Sequence, residues 1–391
     1  MKLLFCTFLV LSLGTSVHAG NYMRKQTDDE GLLDYEIDSA PLSPPGDDEP
    51  LIAKQFSKDP HAGEDKVALV LSGVFKLTHV IMSNNQDEII GYFCDFEFDQ
   101  ANKDPSEAPR YIDFYGESRH CQEHQVALPL HEIAEACRKK DGASYIAPDA
   151  FILHQPKSGS SILSNMLAAS RTDIRMISEP TAIGEIVKCE KCDSDLKVQT
   201  LKDAIYLLGR DQEEGQLFVK LNARNTIGLP VLTEAFPDSK YLYLYRDPET
   251  VLQKLMNKKH EKRVCEGYRH IPGEAVSKFL AKHNKSLDSL ESEEKACAAV
   301  MAAHMSLVLE ELENDVTSGR LVSYEELLDD ESIEDLFDYL EVYTPNWTKV
   351  NKQRNKRANT GHGEEWIGES LPVATEKVQS ATAEFSMFLG A

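Results

Sequence analysis

The sequence predicts an α/β protein in which helices flank a central parallel sheet, preceded by a smaller, mainly β region. Apolar strands alternate with helices in the second half of the chain, and the predicted strands are Ala150–His154, Leu217–Lys220 and Lys240–Tyr245. Leu229–Phe236 and Glu249–Lys259 have the composition of the helices between and after them. Because parallel strands need long crossover connections, this alternation predicts a parallel sheet within residues 146–391.

The first predicted strand ends in a turn of small and polar residues. The turn and the first helical residues are Lys157, Ser158, Gly159, Ser160 and Ser161. A helix N-terminus presents unpaired N–H groups and the positive end of the helix dipole, and here a lysine and hydroxyls join them. The turn therefore predicts a phosphate or sulfonate site. It is not a Walker A loop, because Lys157 precedes the glycine; an ordinary strand-turn-helix is the alternative.

Two later segments have a related design. The strand Lys240–Tyr245 ends at Arg246-Asp-Pro, which puts a guanidinium at the carboxyl end of a strand. Doubly wound sheets bind ligands at that end, and a planar guanidinium suits a phosphate. The run Arg320–Leu327 has the pattern of a further strand followed by Tyr324-Glu-Glu.

Together these segments resemble sulfotransferases that use 3′-phosphoadenosine 5′-phosphosulfate (PAPS), which have a P-loop-like fold. The turn at Lys157 resembles the family's 5′-phosphosulfate loop, and Phe236–Pro248 resembles its 3′-phosphate segment. The run Val322–Leu327 resembles a strand and turn late in the same fold. The motif layout is nearest to the Golgi or secretory and tyrosylprotein enzymes. The resemblance does not reach the first 145 residues.

The resemblance implies transfer of a sulfonate group from PAPS to a hydroxyl acceptor, which can be a protein tyrosine, a glycan or a small alcohol. Lys157 would stabilise the leaving oxygen, and Lys220 would steady the transferring sulfonate. Glu179 follows Asp173-Ile-Arg, a stretch similar to one in the tyrosylprotein enzymes, and would be the general base. Glu185 and His154 are the alternative bases.

The resemblance also implies a donor site with the product 3′,5′-ADP and no metal. Its predicted ligands are Lys157, Ser158, Gly159, Ser160, Ser161, Arg246 and Lys254. Lys254 departs from the family, which usually has a serine eight residues after the arginine. A lysine can bind the 3′-phosphate as a point charge, or the pocket has changed. The basic stretch Asn351–Gly363 either closes over that phosphate or is a solvated loop.

Two other functions fit parts of the pattern. A P-loop phosphotransferase would use the same turn, but the missing Gly-Lys-Ser/Thr argues against it. A non-catalytic binding module would retain the fold without the full set of loop, arginine and carboxylate. The formal net charge of −23 argues against a nucleic acid partner, which needs a basic surface.

The chain divides into four predicted regions. Residues 1–19 have the basic start, apolar stretch and small-residue end of a signal peptide, which predicts entry into the secretory pathway and no stable membrane span. Residues 20–66 are an acidic leader, expected to be disordered. Residues 67–145 form the mainly β accessory region, with Val67–Leu71 as its first β segment, and 146–391 the sulfotransferase-like domain.

In the oxidising secretory pathway, some of the cysteines are expected to pair. Of eight cysteines, Cys6 would leave with the signal peptide, so an odd number remains and one stays unpaired or pairs between molecules. Cys189-Glu-Lys-Cys192 favours a loop disulfide over a zinc knuckle, because no second ligand pair has matching spacing. Asn284 and Asn346 begin glycosylation acceptor sequences.

Overall fold

The computed structural model describes a defined set of residues, namely 25–27, 33–35, 63–82, 89–95, 121, 124–141, 145–210, 215–257, 273–313, 318–355 and 376–389. It divides into two compact units, Met1–Phe56 and Ser57–Ala391. The first contains strands β1 (Lys25–Thr27) and β2 (Leu33–Tyr35), which pair antiparallel. The leader that the sequence predicts to be disordered therefore includes a short strand pair.

The second unit is built on a five-stranded parallel sheet, which confirms the predicted α/β class. Its strands are β6 (Pro148–His154), β7 (Ile174–Ser178), β8 (Gln216–Lys220), β9 (Lys240–Tyr245) and β10 (Ser318–Ser323). Their order is β10-β9-β6-β8-β7. The first strand of the sheet is thus central, and the chain adds strands first on one side of it and then on the other. This is a doubly wound sheet, whose topological switch lies at β6.

Helices pack on both faces of this sheet. The described helices of the unit are α1 (Lys66–Leu71), α2 (Leu130–Asp141), α3 (Ser160–Ser170), α4 (Thr181–Val187), α5 (Ser194–Gly209), α6 (Leu229–Ala235), α7 (Pro248–Asn257), α8 (Glu274–Lys282), α9 (Glu293–Glu313), α10 (Asp330–Tyr339), α11 (Trp347–Arg354) and α12 (Glu376–Leu389). Successive residues of β6 face opposite sides of the sheet and pack in different hydrophobic cores. Phe151 packs with the apolar residues of α4, α5 and α6, and Ile152 packs with those of α3, α10 and α11. Both faces are buried, so the strands read as continuous apolar runs.

A smaller antiparallel sheet packs against the same unit. Its strands are β3 (Phe75–Met82), β4 (Ile89–Asp95) and β5 (Val126–Pro129), in the order β3-β4-β5. Strand β3 contacts α4 and α5, and its buried Phe75 and Leu77 join the core beneath the main sheet. The accessory strands are therefore part of the second compact unit.

One predicted β segment is a helix. Val67–Leu71 lies in α1, where the Asp65 carboxylate accepts a hydrogen bond from Val67 N at 3.0 Å. A short apolar run fits either a strand or a buried helix, and the capping aspartate just before this one decides for the helix.

The described cysteines explain the odd count. Disulfides join Cys94 to Cys121 and Cys189 to Cys192, and Cys297 is also disulfide-bonded. Cys137 keeps its thiol, which is buried and accepts a hydrogen bond from Arg210 at 2.7 Å. Among the described residues, no helix is long and apolar enough to cross a membrane, and no group of three or more acidic, histidine or cysteine side chains is arranged to hold a metal ion.

Candidate functional site

The residues that follow the main strands lie side by side at the carboxyl ends of these strands. We call this end of the sheet its carboxyl edge and the opposite end its amino edge. Strand register pairs Ser178 with Lys220 and Ser323 with Tyr245. The pairing continues for one residue beyond three of the strands, through the bonds Gln155 N to Leu244 O (2.9 Å), Glu179 N to Lys220 O (2.6 Å) and Tyr324 N to Tyr245 O (2.9 Å). The predicted site segments therefore meet at this edge, as expected for a doubly wound sheet.

The turn after β6 contains two residues with a left-handed backbone. Lys157 has φ 61° and Gly159 has φ 88°. Ser158 is fully buried, and its hydroxyl donates to Gln155 O at 2.8 Å. The Ser158 side chain therefore closes the turn, so only its backbone N–H can serve the predicted ligand role. Helix α3 then begins at Ser160 without a side-chain cap from Gly159, and the positive end of its dipole lies at the turn.

Gly159 and Arg246 both lie against one aromatic ring, that of Tyr324. A Cβ on Gly159 would lie 2.8 Å from Tyr324 Cδ2 and 3.0 Å from Leu327 Cδ1, so a glycine is required there for space as well as for φ. The Arg246 guanidinium lies over the same Tyr324 ring, with Cζ 3.8 Å from its centre. The three segments predicted from sequence are thus joined through Tyr324.

Arg246 is also tied to the turn through its backbone. Arg246 N donates to Gln155 Oε1 at 3.2 Å, and Gln155 is itself buried. Within the described part of the chain, the Arg246 guanidinium forms no ion pair with a carboxylate. In a chain with an excess of acidic residues, such a guanidinium at a strand end is available for an anionic ligand. Lys254 follows on α7 and is half-buried.

Glu179 and Lys220 form an ion pair on the other side of the turn. The Lys220 side chain is 0% exposed and the Glu179 side chain is 16% exposed. Lys220 Nζ also lies 3.4 Å from Ser178 Oγ, and Asn222 Nδ2 donates to Glu179 Oε2 at 3.2 Å. A fully buried ammonium is costly without a partner, and the Glu179 carboxylate provides one. Glu179 has φ 57°, a backbone conformation that is uncommon outside glycine and asparagine.

The two alternative bases lie in different surroundings. His154 is buried, and both its ring nitrogens lie 2.9 Å from backbone carbonyl oxygens, those of Gln155 and Leu221. Burial, together with the charge of Lys220, lowers the pKa of His154 to about 4, so the ring is neutral near pH 7. Glu185 lies on the exposed face of α4.

Sequence reasoning missed three members of this edge: Asn222, Gln155 and Tyr324. Tyr324 stood within a recognised segment, but its contact with Arg246 depends on the pairing of β9 with β10. Asn222 follows Lys220 by two residues, and only the fold of the next turn shows where its amide points. The basic stretch Asn351–Gly363 is described as far as Asn355, where α11 has just ended; its remainder lies outside the described residues.

No family model and no curated protein matches the chain. Among solved structures, the chain is similar to a crystal structure of a sulfotransferase from Alicyclobacillus acidocaldarius, with 16% sequence identity and a TM-score of 0.35. The match covers 62% of this chain and 93% of the other.

Proposed function

We propose that this protein transfers a sulfonate group from PAPS to a hydroxyl acceptor. The observation that carries the proposal is the shared edge at which the Lys157 turn lies between two different groups. On one side is Arg246 over the Tyr324 ring, and on the other the Glu179–Lys220 pair. An anion cradle, a second cation for a second phosphate and a carboxylate beside them are the parts that this reaction needs.

The residues present fit the donor. PAPS carries a phosphosulfate at its 5′ end and a separate phosphate at its 3′ position, so its site needs two anion-binding groups. The uncapped start of α3 and Lys157 would hold the 5′ end. Arg246, which has no carboxylate partner within the described residues, would hold the 3′-phosphate, with Lys254 as a further cation.

Three residues of the chain have separate roles in the proposed transfer: Lys157, Glu179 and Lys220. The bound donor supplies an activated sulfonate, whose sulfur bonds to the acceptor oxygen as its bond to the 5′-phosphate oxygen breaks. Lys157 places a positive charge beside the oxygen on which negative charge develops. Glu179 accepts the proton of the acceptor hydroxyl, and Lys220 keeps Glu179 ionised for that task. His154 is the weaker candidate for this base, because both its nitrogens already face carbonyl oxygens.

The cellular setting belongs to the same proposal. The signal-peptide pattern of residues 1–19 and the disulfides Cys94–Cys121 and Cys189–Cys192 support a location in the secretory pathway. Asn284 and Asn346 are exposed, as glycosylation requires. The acceptor is a protein tyrosine, a glycan or a small alcohol.

Thermal stabilisation by nucleotides tests the donor without knowledge of the acceptor. A ligand at about 100 times its Kd stabilises a folded protein by about 2.7 kcal/mol, so 3′,5′-ADP should raise Tm by several degrees and 5′-ADP by much less. Arg246→Ala should abolish the difference between the two nucleotides. Lys202→Ala, which removes a lysine at the opposite edge of the sheet, is the matched control and should preserve it.

The possible results separate the proposal from its alternatives. Equal shifts with both nucleotides would remove the 3′-phosphate site and the PAPS assignment with it. A shift with ATP alone would favour a phosphotransferase. A shift with 3′,5′-ADP but no transfer of label from [35S]PAPS to a tyrosine peptide, a glycan or an alcohol would favour a binding module.

A further inference from the structure

Both oxygens of the Glu179 carboxylate have a donor. Lys220 Nζ pairs with Oε1, and Asn222 Nδ2 donates to Oε2 at 3.2 Å. The donors differ in exposure, since Lys220 is fully buried whereas Asn222 is exposed. One oxygen is therefore held from inside the protein and the other from its surface.

The orientation of the Asn222 amide follows from a second hydrogen bond. Asn222 is the N-cap of the short 3₁₀ helix Ala223–Gly228, and its Oδ1 accepts from Arg224 N at 3.1 Å. A backbone N–H can only donate, so the oxygen of the amide must face Arg224 and its NH₂ group must face Glu179. The cap thus makes Asn222 an obligate donor to the carboxylate.

We propose that Asn222 is a positioning residue for Glu179, which holds the carboxylate in place beside the Lys157 turn and in its ionised form. The role rests on the proposed function in one respect, because it assigns Glu179 as the base. The orientation of the carboxylate by Asn222 does not depend on that assignment. The Glu179 backbone, at φ 57°, does not by itself fix where the side chain lies. Lys220 fixes one oxygen, and Asn222 prevents rotation about that contact.

Two titratable groups of the described residues interact with Glu179. They are Lys220 from the end of β8 and His154 from the end of β6. His154 is neutral near pH 7, because burial lowers its pKa to about 4. Asn222 is a neutral donor to this carboxylate, and its side chain is exposed.

Asn222→Asp tests the role with little change in shape. The introduced carboxylate keeps an oxygen for Arg224 N, so the cap is retained, but it replaces a donor to Glu179 with a like charge. A like charge at hydrogen-bond distance disfavours ionisation of Glu179. The acid limb of the kcat/KM profile should therefore move to higher pH by about one unit, so the rate should fall most on the acid side of the profile and change little at pH 7.

Asn346→Asp is the matched control, since Asn346 also caps a helix, accepting from Lys349 N at 3.1 Å, and lies outside the proposed site. It should leave the pH profile unchanged. If the acid limb of the Asn222→Asp profile lies at higher pH than that of the wild type while Tm is unchanged, Asn222 positions Glu179 as proposed. An unchanged limb with a lowered Tm would overturn this role, because only the cap would then matter.

A second readout separates this role from the proposed function. The side-chain carboxyl carbon of Glu179 can be followed by NMR in glutamate-labelled protein and assigned with Glu179→Gln. If the wild type transfers no sulfonate, the proposed function fails, yet the midpoint of the Glu179 titration should still rise in Asn222→Asp. An identical titration in wild type and variant would sink the positioning role whatever the activity.

Discussion

The two edges of the five-stranded sheet differ in how their cations are used. At the amino edge, a cleft of about 610 Å³ is lined by residues that include Arg138, Tyr206 and Asp149. Arg138 is bound there to Asp203 at 2.7 Å and to Glu135 at 3.0 Å. At the carboxyl edge, Arg246 lies over the Tyr324 ring and has no carboxylate partner among the described residues.

This difference indicates where an anion can bind. Arg138 at the amino edge is neutralised by carboxylates, so its guanidinium adds little attraction for a phosphate in that cleft. The carboxyl edge combines an available guanidinium with the uncapped start of α3. The pairing of charges and the direction of the strands both favour the carboxyl edge for the proposed function.

The largest expected effect comes from the base. Glu179→Gln retains the shape of the side chain but cannot accept a proton, so kcat should fall by about 10²–10⁴-fold while affinity for 3′,5′-ADP changes little. Glu135→Gln makes the same change beside the cleft at the amino edge and should leave the rate unchanged. Steady-state kinetics and nucleotide titration check both. Lost nucleotide affinity in Glu179→Gln would make this residue structural, and a dead Glu185→Gln beside an active Glu179→Gln would transfer the role.

The turn gives the next largest effect. Lys157→Ala removes the charge beside the leaving oxygen and should reduce turnover by about 10²-fold with an unchanged Tm. Lys202→Ala removes a lysine from the amino edge and should have no such effect. Single-turnover rates with saturating donor separate this loss from weaker binding. If Lys157→Ala and Lys202→Ala had similar rates, Lys157 would have no special role in the reaction, and the two edges would not differ in this respect.

Lys254 should have a smaller effect, which is confined to binding. Lys254→Glu places like charge near the 3′-phosphate and should weaken 3′,5′-ADP by about tenfold, with part of the repulsion screened by salt. Lys254→Ser restores the residue usual in the family and should retain most of the affinity. Lys202→Glu changes the net charge equally at the other edge. Calorimetric Kd values that are equal for Lys254→Glu and Lys202→Glu would show that Lys254 is outside the site.

The smallest effect at neutral pH concerns His154. Its pKa is lowered from the ordinary 6.5 to about 4 in the folded protein, so the unfolded state binds more protons between these values. Stability should therefore fall as pH decreases from 6.5 to 4, by on the order of 3 kcal/mol for this group. Urea unfolding across that range checks it. His154→Gln should show a shallower fall; a fall as steep as that of the wild type would mean that His154 is not the group responsible.

Local chemistry was enough to predict several elements. The strands Leu217–Lys220 and Lys240–Tyr245 were predicted within one residue of their observed ends, because their apolar runs are bounded by turn residues. Val67–Leu71 was predicted wrongly as β, since a short apolar run does not distinguish a strand from a buried helix. Ser158 stays a predicted ligand residue through its backbone N–H, whereas its hydroxyl donates to Gln155 O within the turn.

The sequence by itself determined the strand-turn-helix units and their polar ends, because each depends on neighbours a few residues away. It placed Lys157, Glu179, Lys220 and Arg246 at the ends of their segments. Only the tertiary structure decided which ends meet, since strand order follows from the burial of both sheet faces by distant helices. The Asn222 contact and the Tyr324 ring beneath Arg246 arise from that order, and no local pattern specifies contacts between residues so far apart in the chain.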